Sequence, residues 1–205
     1  MAAEPSSVWV PVTLGGRHVR LEPLAQSHFD ALSAASDDPA IFRYYPVDYA
    51  GLAGMKAFFA DALSSQDKGT ALPFAVIALP GGQAIGSTRY GNIVREHRRA
   101  EIGWTWLAPR HQRSGINTEM KYLMLRHAFE TLGLMRIEFK TDSLNEKSRA
   151  ALLRIGATEE GTFRNHMIMP GGRIRHSVYY SVTSDDWPRV KRHLEGLMDR
   201  GARAA

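Results

Sequence analysis

Apolar positions recur along this chain in two rhythms, and the switches between them mark out its elements. Near the start, Val10, Val12 and Leu14 alternate with other residues, Gly15-Gly16 follows, and Val19 and Leu21 resume the alternation. Period-two spacing around a Gly-Gly pair predicts a hairpin, because glycine supplies the positive φ angles of a tight turn. A helix is predicted over Gln26–Ala35, and a second from about Tyr49 to Leu63, where Leu52, Met55, Phe58, Phe59 and Leu63 share one helical face. Phe74–Leu79, the turn Pro80-Gly81-Gly82 and Ala84–Tyr90 predict another hairpin, and Ala100–Leu107 a further strand stopped by Pro109. These strands form an antiparallel run of three.

From Thr118 the rhythm turns helical, with Leu125, Ala128, Phe129 and Leu132 on one stripe and Gly133 placed to end it. Strand Arg136–Thr141 follows, then helix Asn145–Ile155 stopped at Gly156. Pro170-Gly171-Gly172 joins strands Thr158–Ile168 and Arg173–Val182. A last helix turns Trp187, Val190, Leu194 and Leu197 inward, and Ser184-Asp185-Asp186 brings a capping hydroxyl and carboxylates to its start. No repeat, low-complexity block or linker interrupts this order. A single mixed α/β domain over residues 1–205 is expected.

Composition narrows the chemistry. Across 205 residues, 44% hydrophobic and 23% charged content supports an ordinary globular core and excludes disordered or collagenous classes. The absence of cysteine excludes disulfides, thiolate nucleophiles, zinc-thiolate sites and iron-sulfur clusters. His97, His111, His166 and His176 lack metal-ligand spacing, so no metal is expected. No apolar run approaches the roughly 20 residues of a membrane-spanning helix, and the start shows no basic segment followed by an apolar signal core. A soluble protein with a cytoplasmic address is the expectation. Met120, Met124 and Met135 read as core fillers.

A net charge of +5 favours acidic partners such as phosphates. Trp9, Trp104, Trp106 and Trp187 do not form the basic-aromatic platform of a single-stranded nucleic-acid binder, so nucleic acid is not the expected partner. The segment Trp104 to Thr118 is more informative, reading as a strand, a short basic loop and a helix. Backbone N–H groups at a helix start, the helix dipole and flanking arginines make a site for a pyrophosphate or similar anion. A solvated connection fits the same letters equally well. Neither Gly-x-Gly-x-x-Gly nor Gly-Lys-Ser/Thr occurs, which removes the familiar nucleotide loops. Arg95, Arg98, Arg99, Arg110 and Arg113 read as one basic run around this loop, suited to the 3′-phosphate of a cofactor, to an acidic or ribosomal partner, or to a solvated face.

The loop Gln112-Arg113-Ser114-Gly115-Ile116-Asn117 resembles the Arg/Gln-x-x-Gly-x-Gly/Ala pyrophosphate loop of GCN5-related N-acetyltransferases (GNAT). Downstream, Arg136 to Asp142, Asn145 to Ala150, Gly156-Ala157, Glu160-Gly161 and Arg164 are similar to the branch containing ribosomal-protein N-terminal acetyltransferases. The similarity runs from about Val12 to Val190. It implies a central twisted mixed sheet of about seven strands flanked by helices, with splayed central strands forming a wedge for acetyl-CoA. The backbone around Trp106 and Leu107 is implied to meet the pantetheine arm. The N–H groups of Arg113, Ser114, Gly115, Ile116 and Asn117 are implied to hold the pyrophosphate, with Gln112 and Thr118 as further cofactor-binding residues. Asn117 departs from the pattern, standing where Gly or Ala is usual.

Acetyl transfer to an amine needs a neutral nucleophile, a stabilised oxyanion and a proton for the departing thiolate. Glu101 resembles the family position whose carboxylate takes the amine proton, and strand alternation puts it on the side of Gly103 and Thr105. A surface carboxylate paired with Arg98 or Arg99 is the plainer reading. A backbone N–H near Trp106 is the implied oxyanion donor. Many family members carry a tyrosine seven residues after the position of Asn145, and Leu152 stands there instead. Ser148 resembles a serine placed near the sulfur in some ribosomal-protein acetyltransferases, or it simply completes a helical turn. Asn145 is read as helix cap and cofactor contact, roles that compete for one side chain. Tyr44 and Tyr45 fall where acceptor-binding residues lie in the family.

Together these features imply direct acetyl transfer from acetyl-CoA to a primary amine in a ternary complex, the acceptor being a protein N-terminus or a small molecule. Alternatives are a non-catalytic acyl-CoA sensor or scaffold, and a basic ribosome- or RNA-docking protein. A homodimer stays open.

Overall fold

A computed structural model describes residues 9–203. Its centre is an eight-stranded sheet in the order β1-β2-β3-β4-β5-β6-β8-β7. The strands are β1 Leu14–Gly15, β2 Val19–Pro23, β3 Leu72–Ala78, β4 Gln83–Val94, β5 Arg99–Leu107, β6 Arg136–Asp142, β7 Thr158–Ile168 and β8 Ile174–Thr183. Helices α1 Phe29–Ala35 and α2 Gly51–Asp67 lie between β2 and β3, and α3 Ile116–Arg126 between β5 and β6. Helix α4 Glu146–Arg154 precedes β7, and α5 Trp187–Arg203 follows β8. About seven strands were the expectation, and the two-residue β1 is a minimal one. Among the described residues, no helix is long and apolar enough to cross a membrane.

The middle of the sheet, at β3 and most of β4, is buried on both faces. On β3, Leu72, Phe74 and Val76 point into a core shared with α3, α4 and α5, whereas Ala75 and Ile77 point into a second core beneath α1 and α2. Period-two alternation of apolar residues on both sides is what a central strand covered by helices requires. Of the expected helical stripe on α2, Met55, Phe58 and Phe59 are buried, but Leu52 is exposed in the first turn. Met135 is also exposed, unlike Met120 and Met124, because it sits in the bend entering β6 rather than on a packed face.

Helix α3 continues through a π-helical turn, His127–Thr131, that stacks Phe129 against Trp187 of α5. The cap of α5 differs from the expected one. Thr183 supplies the hydroxyl, which accepts from the Asp186 backbone N–H at 3.3 Å and donates to Asp186 Oδ2 at 2.7 Å. The Ser184 backbone instead closes onto the Met135 carbonyl.

Every neighbouring pair in the sheet is antiparallel except β5 and β6. That parallel pair is short, joining only Arg99 to Arg136, Ala100 to Ile137 and Glu101 to Glu138. Beyond it β5 runs on to Leu107, paired with β4, and β6 runs on to Asp142, paired with β8. The two strands therefore diverge, and each keeps an unpaired edge facing the other.

Candidate active site

The gap between β5 and β6 is built by a defect in β5. Arg89 pairs with Gly103 but Ser87 pairs with Trp106, so β5 carries an extra residue there. Trp104 takes φ +49°, a left-handed angle costing a non-glycine residue about 1–2 kcal/mol. Its ring is held by the Arg89 guanidinium, 4.8 Å from the ring centroid, and lies across Gly91, where an added Cβ would be 2.4 Å from Trp104 Cζ3.

The bulge also reverses the strand's facing. Ala100 and Ile102 belong to the α3-side core before it, and Leu107 belongs to the same core after it. Glu101 and Thr105, expected on one side, consequently lie on opposite faces: Thr105 meets Lys121 of α3, and Glu101 faces away. Simple alternation fails because a bulge shifts the phase of every later side chain.

Glu101 sits at the last paired position before the gap opens. It is 5% exposed and lines an open cleft of about 520 Å³ together with Asn92, Arg99, Glu138, Lys140 and Tyr179. Asn92 Nδ2 donates to its Oε2 at 2.7 Å, and Lys140 Nζ lies 3.5 Å from the same oxygen. Oε1 reaches over Gly103, where an added Cβ would be 2.8 Å away, and accepts no hydrogen bond among the described residues. The pairing of Glu101 with Arg98 or Arg99 does not occur, since Arg99 bonds Glu138 instead.

The loop after β5 is ordered by its own side chains. Gln112 Nε2 donates to the Leu107 carbonyl at 3.0 Å, and Ser114 Oγ to the His111 carbonyl at 2.6 Å. Arg113 and Gly115 both take left-handed angles, φ +63° and +86°. The Gly115 carbonyl accepts from Thr118 and Glu119 and so starts α3. The N–H groups of Arg113, Ser114, Gly115, Ile116 and Asn117 find no acceptor among the described residues. A row of free N–H groups entering a helix is the backbone arrangement that holds phosphate. Ile116 is buried in the core, so only its backbone is available, and the Thr118 hydroxyl accepts from Arg154 Nη2 at 2.9 Å. That bond brings the end of α4 to the start of α3 and puts a guanidinium beside the loop, which the sequence reading missed.

At the mouth of the gap, Asn145 Oδ1 accepts from the Ser148 backbone N–H at 3.1 Å and caps α4. The competition between its two roles is thereby divided by atom, with Oδ1 spent on the cap and Nδ2 unpartnered among the described residues. Ser148 Oγ makes no hydrogen bond there either. The Leu152 side chain is buried in the core with Phe139.

The five arginines do not form one basic run. Arg95, Arg98 and Arg99 flank the turn into β5, and Arg110 and Arg113 lie past its far end. A strand rising about 3.3 Å per residue separates the two groups by roughly 25 Å. Arg95 and Arg99 are spent on the Gly69 carbonyl and Glu138.

The Trp106 indole packs against Phe42 and Phe58 in the α1/α2 core. Its Nε1, the Tyr45 hydroxyl, and Nε and Nη2 of Arg89 are all buried without a partner among the described residues. Burial raises the Tyr45 pKa, keeping the hydroxyl a donor. Nearby, Arg175 donates to the Tyr44 carbonyl at 3.2 Å and to Ser177 Oγ at 3.0 Å, pinning the segment before α2 to β8.

Residues 18–158 match the acetyltransferase (GNAT) domain family. The chain belongs to that family. A Bacillus subtilis protein named as a ribosomal N-acetyltransferase, YdaF, is 36% identical over 111 residues, 54% of this chain and 59% of that protein. The matched stretch thus spans less than two thirds of such curated relatives. A GCN5-related N-acetyltransferase structure from Brucella melitensis is 32% identical, with a TM-score of 0.83 over 92% of this chain and 88% of that one. Mycobacterium smegmatis RimJ, solved with CoA-disulfide, shares the fold at a TM-score of 0.80 and 24% identity, over 91% of this chain and 95% of that one. In this GNAT chain the expected splay is present, with an unpaired strand edge on either side of it and free N–H groups in the loop that follows β5.

Proposed function

We propose that this protein is an acetyl-CoA-dependent N-acetyltransferase that moves the acetyl group directly to a primary amine within a ternary complex. The observation that carries the reading is the unpaired edge between β5 and β6 leading to the free N–H row at Arg113 to Asn117. Acetyl-CoA would supply the activated acyl group. In this reading the edges at Trp106 and Leu107 hold the pantetheine arm, and the N–H groups of Arg113 to Asn117 hold the pyrophosphate, with Gln112 and Thr118 bracing the loop at its two ends through their own hydrogen bonds. Asn145 Nδ2 and Ser148 Oγ lie at the mouth of the gap as further donors.

Glu101 is the base. Its Oε1 is the free acceptor in the cleft, on the face opposite α3, and it takes the proton of an amine entering there, directly or through water. Asn92 and Lys140 hold Oε2 and fix the carboxylate's orientation. The acceptor is a protein N-terminus or a small amine, with the segment at Tyr44 and Tyr45 closing the cleft's approach. The resemblance to ribosomal-protein acetyltransferases makes an N-terminal peptide the first acceptor to test.

A second reading, an acyl-CoA sensor, draws on Leu152 filling the tyrosine position with a buried aliphatic group. Calorimetric titration with acetyl-CoA, alongside a CoA-release assay over peptides, polyamines and small amines, separates the two. Binding with release on one amine class supports the transferase. Binding without any release supports the sensor, and no binding overturns both.

A further inference from the structure

Lys121 is the unexplained residue of the gap. It projects from α3 and is only 5% exposed, yet its ammonium has no carboxylate partner among the described residues. Nζ donates to Thr105 Oγ at 2.9 Å on β5 and lies 5.7 Å from the ring centroid of Phe139 on β6. It thus touches both strands beyond the point where their pairing ends at Glu101 and Glu138. An ammonium has three donors, and Thr105 takes one.

Charged groups on the surrounding elements are committed elsewhere. On α3 itself, Glu119 accepts from the Arg17 and His18 backbone. On α4, Arg154 bonds Thr118, and Arg149 bonds Tyr180. On α5, Glu195 bonds Tyr122, and Lys191 bonds Glu130. On β5 and β6, Glu101, Glu138 and Lys140 face the cleft on the opposite side, and Asp142 is paired with Arg173. Burial alone pushes the Lys121 pKa down, to about 7.

Building on the acetyltransferase reading, we propose that Lys121 is the proton donor to the leaving sulfur, a role that the aliphatic Leu152 cannot fill. The step balances. As the acceptor nitrogen bonds to the acetyl carbon, the carbon–sulfur bond breaks and its electron pair goes to sulfur. Lys121 Nζ gives that sulfur a proton and becomes a neutral amine, while Glu101 holds the proton lost by the acceptor. Acid and base then stand on opposite faces of β5, so neither proton has to cross the strand to reach its group. Solvent restores both groups after release.

The test uses the full chain and the variants Lys121→Met and Lys121→Arg. The Met variant is expected to lose about a hundredfold in kcat, with a much smaller change in KM for acetyl-CoA. Wild-type kcat falls as pH rises through the region where Lys121 loses its proton, and this limb is absent from the Met variant. The Arg variant restores the charge but neither kcat nor the limb. Independently of turnover, thiolate absorbance of bound CoA should titrate at lower pH in the wild type than in the Met variant. An unchanged kcat and pH limb, or the same thiol titration in both proteins, overturns the proposal. Should neither variant fold, the wild-type complex decides: a bound thiol that titrates no lower than free CoA is fatal to the idea. A shifted thiol without turnover on any amine would instead count against the transferase reading and leave the Lys121–sulfur contact standing.

Discussion

The ring of Trp104 lies where a side chain at position 91 would have to be, with an added Cβ only 2.4 Å from Cζ3. Gly91 is therefore a packing requirement of the bulge rather than a turn residue. Gly91→Ala should cost about 1–3 kcal/mol through overpacking, measured by denaturant unfolding. It should also weaken acetyl-CoA binding, because a displaced Trp104 disturbs the phase of Thr105 to Leu107. Unchanged stability would show that the bulge tolerates another arrangement.

Glu101→Gln keeps the shape and the Asn92 contact but cannot take a proton. Acetyl-CoA binding should stay within about twofold and kcat should fall by about 10²–10⁴. Calorimetry and steady-state kinetics on one preparation decide this, and a variant that turns over normally removes Glu101 from the chemistry.

Gly115→Ala meets open space, with nothing within 4 Å of the added carbon, so its cost is purely conformational at φ +86°. A loop that relaxes from this angle misaligns its N–H row. Affinity for CoA should fall roughly tenfold, equivalent to about 1.4 kcal/mol. Gly171→Ala, at φ +78° in the turn between β7 and β8, is the matched control and should leave CoA affinity alone.

Lys121 makes stability depend on pH in a defined direction. Its folded pKa of about 7 lies below the 10.5 of an ordinary lysine, so between these values the unfolded chain binds more protons. Stability contributed at this site therefore rises with pH across that window, and the penalty is complete below about pH 7. Lys121→Met removes the penalty. Its stability advantage over the wild type should be largest below pH 7 and shrink toward pH 10.5 in chemical denaturation. An advantage that is flat with pH would mean that Lys121 does not titrate in that range.

Leu152→Tyr places a hydroxyl where the family resemblance leads one to expect a tyrosine, but Leu152 belongs to the main core. The larger ring should cost about 1–3 kcal/mol by overpacking and give no gain in kcat. A rate gain would mean that α4 can shift to admit the ring.

The order of strands and helices was legible because period-two and period-3.6 patterns were clean and the glycine turns sat between them. The loop at Gln112 to Asn117 was legible for the same local reason, since its free N–H groups follow from a strand, a turn and a helix start. What escaped were effects of tertiary phase and depth. The bulge at Trp104 leaves no letter pattern, so Thr105 was assigned to the wrong face. Lys121 reads as the polar side of an amphipathic helix, and only its neighbours Thr105 and Phe139 reveal a buried amine. The arginines lie in two groups around the two ends of β5, and the length of the strand keeps them apart.

The short seam between β5 and β6 has a mechanical consequence. Strands β1 to β5 form one leaf and β6 to β8 another, and the backbone ties along their seam are those at Arg98 to Glu101 and Met135 to Glu138. The sheet is thus a book with a narrow spine, whose easiest collective motion is a change in the angle between its leaves. A ligand lying along both open edges binds the pages together far from the spine. Amide hydrogen exchange at residues 102–107 and 139–142 should accordingly slow together when CoA binds.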